Sequence, residues 1–284
     1  MTSYLVGLIG AGVGPSLSPA LHEREADHHG LRYVYRTIDI DDLGLAAGAA
    51  GDLVGTARRF GYTGLNITHP CKQTVIEHLD ELAPEAATLG AVNTVTFDGD
   101  RAIGHNTDGT GFARSFARGL PGAPARRIVQ LGAGGAGAAV AHALLTLGAD
   151  RVTVVDEDEA RATSLAVDLA RRFGAERAHA GTAEDVPGLF AAADGLVNAT
   201  PVGMAAHPGL PVPAGLLRPH LWVADVVYRP LETELLLQAR KLGCRTLDGG
   251  GMVVFQAAEA FRLFTGVEPD AERMLAHLAD LVTT

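Results

Sequence analysis

Cysteine is nearly absent from this chain. Cys71 and Cys244 are the only two in 284 residues, which excludes a disulfide framework and a thiolate zinc cluster and marks both as expected reduced core residues. Long apolar runs are missing as well, since nothing approaches the ~18 residues of a membrane span. The opening "MTSYLVGLIGAG" lacks a basic flank and a small-residue cleavage site, so a cytoplasmic location without a membrane partner is expected. A basic excess is also lacking. Lys and Arg number 23 against 33 Asp and Glu, a formal charge of −10, which argues against binding a phosphate backbone and makes small molecules the expected partners rather than nucleic acid. The eleven histidines are scattered. His22, His28 and His29 in "HEREADHH" show no metal-ligand spacing, so no metal is expected.

What is there is a globular composition, 47% hydrophobic and 20% charged, in a chain long enough for two lobes, because single cores stop growing at roughly 250 to 300 residues. Short apolar strands alternate with helices from the start: a strand over 4–9, a helix over 19–29 with Ser18 as its cap, a strand over 33–38, a helix ending near Phe60, and a strand over 64–67. A helix over about 73–82 is expected next. "AVNTVTFDGD" and "RAIGHNTDG" then read as a strand, a turn at Asp98-Gly99 and a returning strand. After a helix over 109–118, "GLPGAPARR" breaks the pattern with two prolines and two glycines, which sets the expected lobe boundary at 121. From 122 to 250 the alternation resumes as a doubly wound sheet, and two helices from 251 to 284 follow with no strand after them. The fold class expected is α/β: an N-terminal parallel-rich lobe, a Rossmann dinucleotide-binding lobe, and C-terminal helices returning to the first.

Gly132, Gly134 and Gly137 in "GAGGAG" satisfy G-x-G-x-x-G directly between an apolar strand and a helix, with an acidic residue about 20 positions further on. In that context the loop Gly132, Ala133, Gly134, Gly135, Ala136 and Gly137 lets backbone approach a pyrophosphate at a helix N-terminus. Asp156 in "VTVVDEDEAR" stands where an adenosine ribose would lie. Its carboxylate accepts ribose hydroxyls and repels a 2′-phosphate, so NAD is expected over NADP; the other reading is that Asp156 merely caps the next helix. Arg161, one to two turns on, could soften that preference.

In the first lobe, Ser16 with Ser18, Thr68 with Lys72, Asn93, His105 with Asn106, and Asp108 fall at strand ends or in adjoining loops. Such loops gather at one edge of a parallel sheet, and the set suits a polyhydroxylated anion in one cleft. Taken singly, each has a plain structural reading. Ser18 and Asp108 suit helix caps, and Lys72 suits a solvated first turn.

These residues also carry a resemblance. "SLSP" (16–19), "NITHPCK" (66–72), "GAVNT" (90–94), "GHNTDG" (104–109), "GAGGAG" (132–137), "NATPVGM" (198–204) and "DGGGMVVFQAAEAF" (248–261) match, in order, the motifs of the shikimate dehydrogenase family. The chain most resembles its NAD-dependent quinate/shikimate dehydrogenases. NADP-using members typically carry an Asn-Arg-Thr cluster where "VDEDEAR" stands here. The resemblance implies a catalytic pair, Lys72 and Asp108, with Ser16 and Ser18 on the substrate carboxylate and Thr68, Asn93 and Gln256 on ring hydroxyls or carboxylate. It implies that Thr200, Pro201, Val202 and Met204 lie near the nicotinamide ribose, with Val227, Gly249 and Met252 also on the cofactor. The expected substrate is a cyclohexane or cyclohexene carboxylate. The expected reaction is hydride transfer at the C3 hydroxyl, interconverting quinate and 3-dehydroquinate or shikimate and 3-dehydroshikimate, with NAD favouring the catabolic direction. Amino-substituted analogues, and a non-catalytic NAD-responsive regulator, are the alternatives. Oligomeric state is not legible, and a homodimer is allowed.

Overall fold

The computed structural model describes residues 3–283. The chain divides into two compact units, one running to Thr107 and taken up again from Val254, the other spanning Asp108–Val253.

The first unit is built from β1 (Ser3–Gly10), α1 (Ser18–His28), β2 (Arg32–Asp39), α2 (Ala50–Arg59), β3 (Gly64–Ile67), α3 (Cys71–Thr74), β4 (Glu81–Leu82), α4 (Pro84–Leu89), β5 (Thr94–Asp98) and β6 (Arg101–His105). Its six strands lie in the order β2-β1-β3-β5-β6-β4. Strand β1 is parallel to β2 and β3, while β3, β5 and β6 run antiparallel in turn. "GLNI" of β3 is buried throughout, as an inner strand covered on both faces must be. Gly99 at φ +57° allows the tight β5–β6 turn.

Two local expectations fail here. Ser18 is the first residue of α1 rather than its cap; Leu17 holds the cap position, and the Ser18 N–H donates to Ser16 Oγ at 3.2 Å. The helix expected over 73–82 stops at Thr74, a 3-10 turn follows at Ile76–His78, and the chain straightens into β4. Sheet pairing outweighs helix propensity at this point. Glu81 and Leu82 register against Ile103 and Gly104 of β6, the N–H of Asp80 donates to the Ala102 carbonyl, and its carboxylate takes the Ala102 N–H at 2.7 Å. Pro84 then starts a separate short helix and disfavours helical backbone at the residue before it.

The second unit comprises α5 (Asp108–Gly119), β7 (Arg127–Leu131), α6 (Gly135–Thr146), β8 (Arg151–Val155), α7 (Glu159–Phe173), β9 (Ala178–Gly181), α8 (Val186–Ala192), β10 (Gly195–Asn198), β11 (Trp222–Asp225), α9 (Glu234–Lys241) and β12 (Arg245–Leu247). All six strands are parallel, in the order β12-β11-β10-β7-β8-β9, so the winding reverses between β7 and β10. The unit begins at Asp108 rather than after 121, because the apolar face of α5 packs into this core. Phe112 and Phe116 join Val140, Leu144 and Trp222, with the Phe116 and Trp222 rings edge to face at 4.9 Å.

Helices α10 (Gly250–Thr265) and α11 (Ala271–Thr283) end the chain. From Val254 onward they belong to the first unit. A Cβ on Gly64 would lie 2.4 Å from the Phe264 ring, so the glycine in β3 is what lets α10 seat there.

Candidate active site

In the first unit, the register brings the ends of four strands to one sheet edge. Ile9 pairs with Ile67, Asn66 with Thr94, and Thr94 with His105, so the exits of β1, β3 and β6 and the entrance of β5 lie side by side. Ser16, Ser18, Thr68, Lys72 and Asn93 all follow or precede those ends. Backbone hydrogen bonds tie their loops together. Ala11 N–H donates to the His69 carbonyl at 2.9 Å, Cys71 N–H to Thr68 at 2.8 Å, and Val92 N–H to Lys72 at 2.8 Å. A Cβ on Gly10 would stand 2.3 Å from Thr68 Cγ2, so only glycine admits that side chain beside β1.

The loop after β1 is held by Asp39, whose carboxylate accepts the N–H groups of Gly12 at 3.0 Å and Val13 at 2.7 Å. Burial pushes its pKa up, but N–H donors from Asp41, Gly12 and Val13 outweigh that and hold the carboxyl below its ordinary range. Asn93 is buried and held at both ends of its side-chain amide. Its Oδ1 accepts Thr107 N–H at 2.8 Å and the Thr94 hydroxyl at 3.0 Å, and its Nδ2 donates to Thr107 Oγ1 at 2.9 Å. The Thr107 hydroxyl in turn reaches Gln256 Oε1 at 3.5 Å, which brings α10 to the same group. Thr68, Lys72, Asn93 and Gln256 thus share one hydrogen-bonded neighbourhood within this unit.

His105 and Asn106 have other tasks. His105 Nε2 meets Thr96 Oγ1 at 3.1 Å across the β5–β6 pair, and Asn106 Nδ2 donates to the Ala91 carbonyl at 2.9 Å, closing the turn ahead of Asn93. Burial lowers the His105 pKa against the opposing pull of Glu85. Asp108 opens the second unit as the first residue of α5, 6% exposed, where the positive helix end favours a carboxylate.

The dinucleotide loop sits at the β7–β10 reversal. Gly132 has φ +98°, and a Cβ there would meet the Ala199 carbonyl oxygen at 2.6 Å. A Cβ on Gly137 would sit 2.3 Å from the Gly132 carbonyl oxygen, so helix α6 can approach the loop only because that residue is glycine. Gly134 is exposed, and a Cβ there would meet nothing, which leaves an open approach to the N-terminus of α6, flanked by Gly135 and Ala136. These features fit a pyrophosphate. Asp156 is no helix cap. Its Oδ2 accepts Ala133 N–H at 2.7 Å and its Oδ1 accepts Asp158 N–H at 2.9 Å, while Asp158 caps α7 through Ala160 and Arg161. Arg161 is exposed and pairs with Asp158 at 3.4 Å.

"NATPVGM" lies beyond β10, pinned from β11. Asn198 Oδ1 accepts the Thr200 hydroxyl at 2.6 Å, and its Nδ2 donates to the Val202 carbonyl and to Asp225 Oδ1, each at 2.9 Å. Asp225 also takes the Thr233 hydroxyl at 2.7 Å and the Val227 N–H at 3.0 Å. Burial raises the Asp225 pKa, against those three donors. Pro201 and Met204 are exposed, and Val227 and Met252 are buried. Gly249 lets the start of α10 press on the chain just beyond β11: a Cβ there would stand 2.4 Å from the Val226 carbonyl oxygen.

Sequence reasoning missed Gln130, Tyr35, Asn66, Thr107 and Asp225 as supports. Gln130, buried in β7, donates from Nε2 to the carbonyls of Gly132 at 2.9 Å and Gly137 at 2.8 Å, cinching the loop. A glutamine or asparagine inside an otherwise apolar strand was the available signal. Among the described residues no group of three His, Cys, Asp or Glu could hold a metal ion, and no helix is long and apolar enough to cross a membrane.

Comparison with known proteins places the chain in a family. Residues 8–95 match the family described as the shikimate dehydrogenase substrate binding domain, and residues 249–278 the shikimate 5'-dehydrogenase C-terminal domain. The shikimate dehydrogenase (NADP(+)) of Streptomyces avermitilis is 70% identical over 282 residues, 99% of this chain and 97% of its own. The quinate/shikimate dehydrogenase (NAD(+)) of Corynebacterium efficiens is 51% identical, over 98% of this chain and 99% of its own. The solved structure of quinate dehydrogenase from Corynebacterium glutamicum in complex with NAD superposes with a TM-score of 0.92 at 48% identity, covering 98% of this chain and 99% of that one. The chain belongs to the shikimate dehydrogenase family and is an oxidoreductase of the shikimate/quinate dehydrogenase type.

Proposed function

We propose that the chain oxidises the C3 hydroxyl of quinate and of shikimate with NAD, giving the 3-dehydro acids reversibly. The observation that supports the substrate reading is that the loops of Thr68, Lys72 and Asn93 are tied together at the sheet edge where β1 also ends, ahead of the loop that carries Ser16 and Ser18. Hydroxyls, an amide and a cation suit a carboxylate bearing several ring hydroxyls. Ser16 and Ser18 are assigned the carboxylate, and Thr68, Asn93 and Gln256 the ring oxygens.

Lys72 and Asp108 are assigned the proton of the reacting hydroxyl. Acid/base help of this kind is worth roughly 10² to 10⁴ in rate. A nicotinamide nucleotide bound at the glycine loop supplies the hydride acceptor. The loop Gly132 to Gly137 is assigned the pyrophosphate; Thr200, Pro201, Val202, Met204, Val227, Gly249 and Met252 are assigned the nicotinamide side.

NAD over NADP rests on charge. Asp156, Glu157 and Asp158 follow β8 in succession, and Arg161 is engaged with Asp158, so a 2′-phosphate would face carboxylates without a dedicated cation. The name of the 70% identical relative favours NADP and shikimate instead. Turnover of the purified protein with NAD and NADP, each against quinate and shikimate, decides between them. A higher kcat/KM with NADP overturns the cofactor assignment, and no turnover of quinate overturns the broader substrate range.

A further inference from the structure

A buried polar chain runs from β2 to the residues assigned to the acid. The hydroxyl of Tyr35, itself 4% exposed, donates to Asn66 Oδ1 at 2.8 Å. Asn66 Nδ2 donates to Thr94 Oγ1 at 3.1 Å and to the Asn93 carbonyl at 3.3 Å. Having accepted there, the Thr94 hydroxyl directs its own proton to Asn93 Oδ1. Asn93 passes to Thr107, and Thr107 to Gln256.

The polarity of this chain is set by its ends. The Asn93 carbonyl can only accept, so the NH₂ of Asn66 must face it, and Asn66 Oδ1 must face away, toward Tyr35. A buried amide oxygen needs a donor, and Tyr35 provides one. Without that hydroxyl the buried Asn66 Oδ1 loses its Tyr35 donor, and the amide shifts to find another, loosening its hold on Thr94 and the Asn93 carbonyl. Hydrophobic neighbours hold the phenol ring: Val6, Leu8, Val13 and Phe264 form the cluster around it. The His22 ring also lies against it, with centroids 5.0 Å apart, so the phenol ring is a rigid mount for its hydroxyl.

We propose that Tyr35 is a positioning residue for the acid site, acting through Asn66 to fix the side-chain orientation of Asn93. The inference rests on the assignment of Asn93 to the acid. Tyr35→Phe keeps the packing and removes only the hydroxyl. It should raise the KM for the acid roughly 3- to 10-fold, the loss expected for one buried neutral hydrogen bond, with kcat and the KM for the nucleotide nearly unchanged. In an Asn66→Leu background the same substitution should change the KM no further, because its route is already cut; Asn66→Ser serves if the leucine variant does not fold. A lowered melting temperature with an unchanged acid KM would show that the hydroxyl is structural only, and additive effects of the two substitutions would show a route other than Asn66; either overturns the proposal. If Asn93→Ala leaves the acid KM unaltered, or the wild type turns over neither acid, the functional assignment fails instead. Hydrogen exchange of the Asn93 side-chain amide, read by NMR on the full chain, then still tests the orientation: faster exchange in Tyr35→Phe supports it, and equal exchange overturns it.

Discussion

The guanidinium of Arg273, on α11, forks onto the carboxylate of Glu25, on α1, through Nε at 2.9 Å and Nη2 at 2.5 Å. Glu25 is buried and also accepts the N–H of Asp270 at 2.8 Å and pairs with His29 at 3.0 Å. One carboxylate thus fastens the last helix to the first. Glu25→Ala should destabilise the protein by about 2 to 4 kcal/mol, because it takes the buried carboxylate from a half-buried cation, which keeps its longer contact with Asp270 at 3.5 Å. A urea midpoint equal to wild type would refute this. Burial pushes the Glu25 pKa up, but Arg273, Asp270 and His29 outweigh burial and hold it below the ordinary value. Its stabilisation is accordingly complete above the ordinary carboxylate range and is lost as the pH falls through the lower folded pKa.

His22 sits among the rings of Tyr33, Tyr35, Phe261 and Phe264, with Nδ1 3.0 Å from the Tyr33 hydroxyl. Burial lowers its pKa to about 3. Between the ordinary histidine value and that one, the unfolded chain binds a proton that the folded chain refuses, so stability falls as the pH drops across the window. The slope reaches about 1.4 kcal/mol per pH unit for one such group. In His22→Leu this share should vanish: comparing urea midpoints at pH 7 and 5.5, the variant loses less stability than wild type. A wild-type slope in the variant would exclude His22 as its source.

Lys72→Met should lower kcat by roughly 10² to 10⁴ while the KM for the acid changes far less. Steady-state kinetics with saturating nucleotide measure both. Retained turnover would remove Lys72 from proton handling and return it to the solvated first turn that its position on α3 also allows.

Gly137→Ala places a methyl 2.3 Å from a backbone oxygen that cannot swing aside. The expected cost is about 1 to 3 kcal/mol in stability, together with a raised nucleotide KM and an unaltered acid KM. Gly134→Ala meets no such obstacle in the protein, so its melting temperature should stay near wild type, and any penalty should appear only in nucleotide binding. Thermal melts and nucleotide titrations on the pair separate packing from ligand approach.

Much of this molecule was determined by the sequence alone. Strand-loop-helix order, the glycine loop after β7, Asp156 after β8, and the ordered motifs from Ser16 to Phe261 are local features, and local chemistry such as glycine's freedom and apolar periodicity makes them legible. Tertiary structure decided the rest. The chain over 75–83 abandons helix because β6 offers unpaired backbone groups; α5 joins the second unit because Phe112 and Phe116 find their core there. Asp156 serves the glycine loop rather than a helix because Ala133 N–H lies within reach. The supports Tyr35, Asn66, Thr107 and Asp225 stayed hidden for the same reason: their hydrogen bonds join residues 14 to 31 positions apart and depend on strand order and register, which no short window of sequence contains.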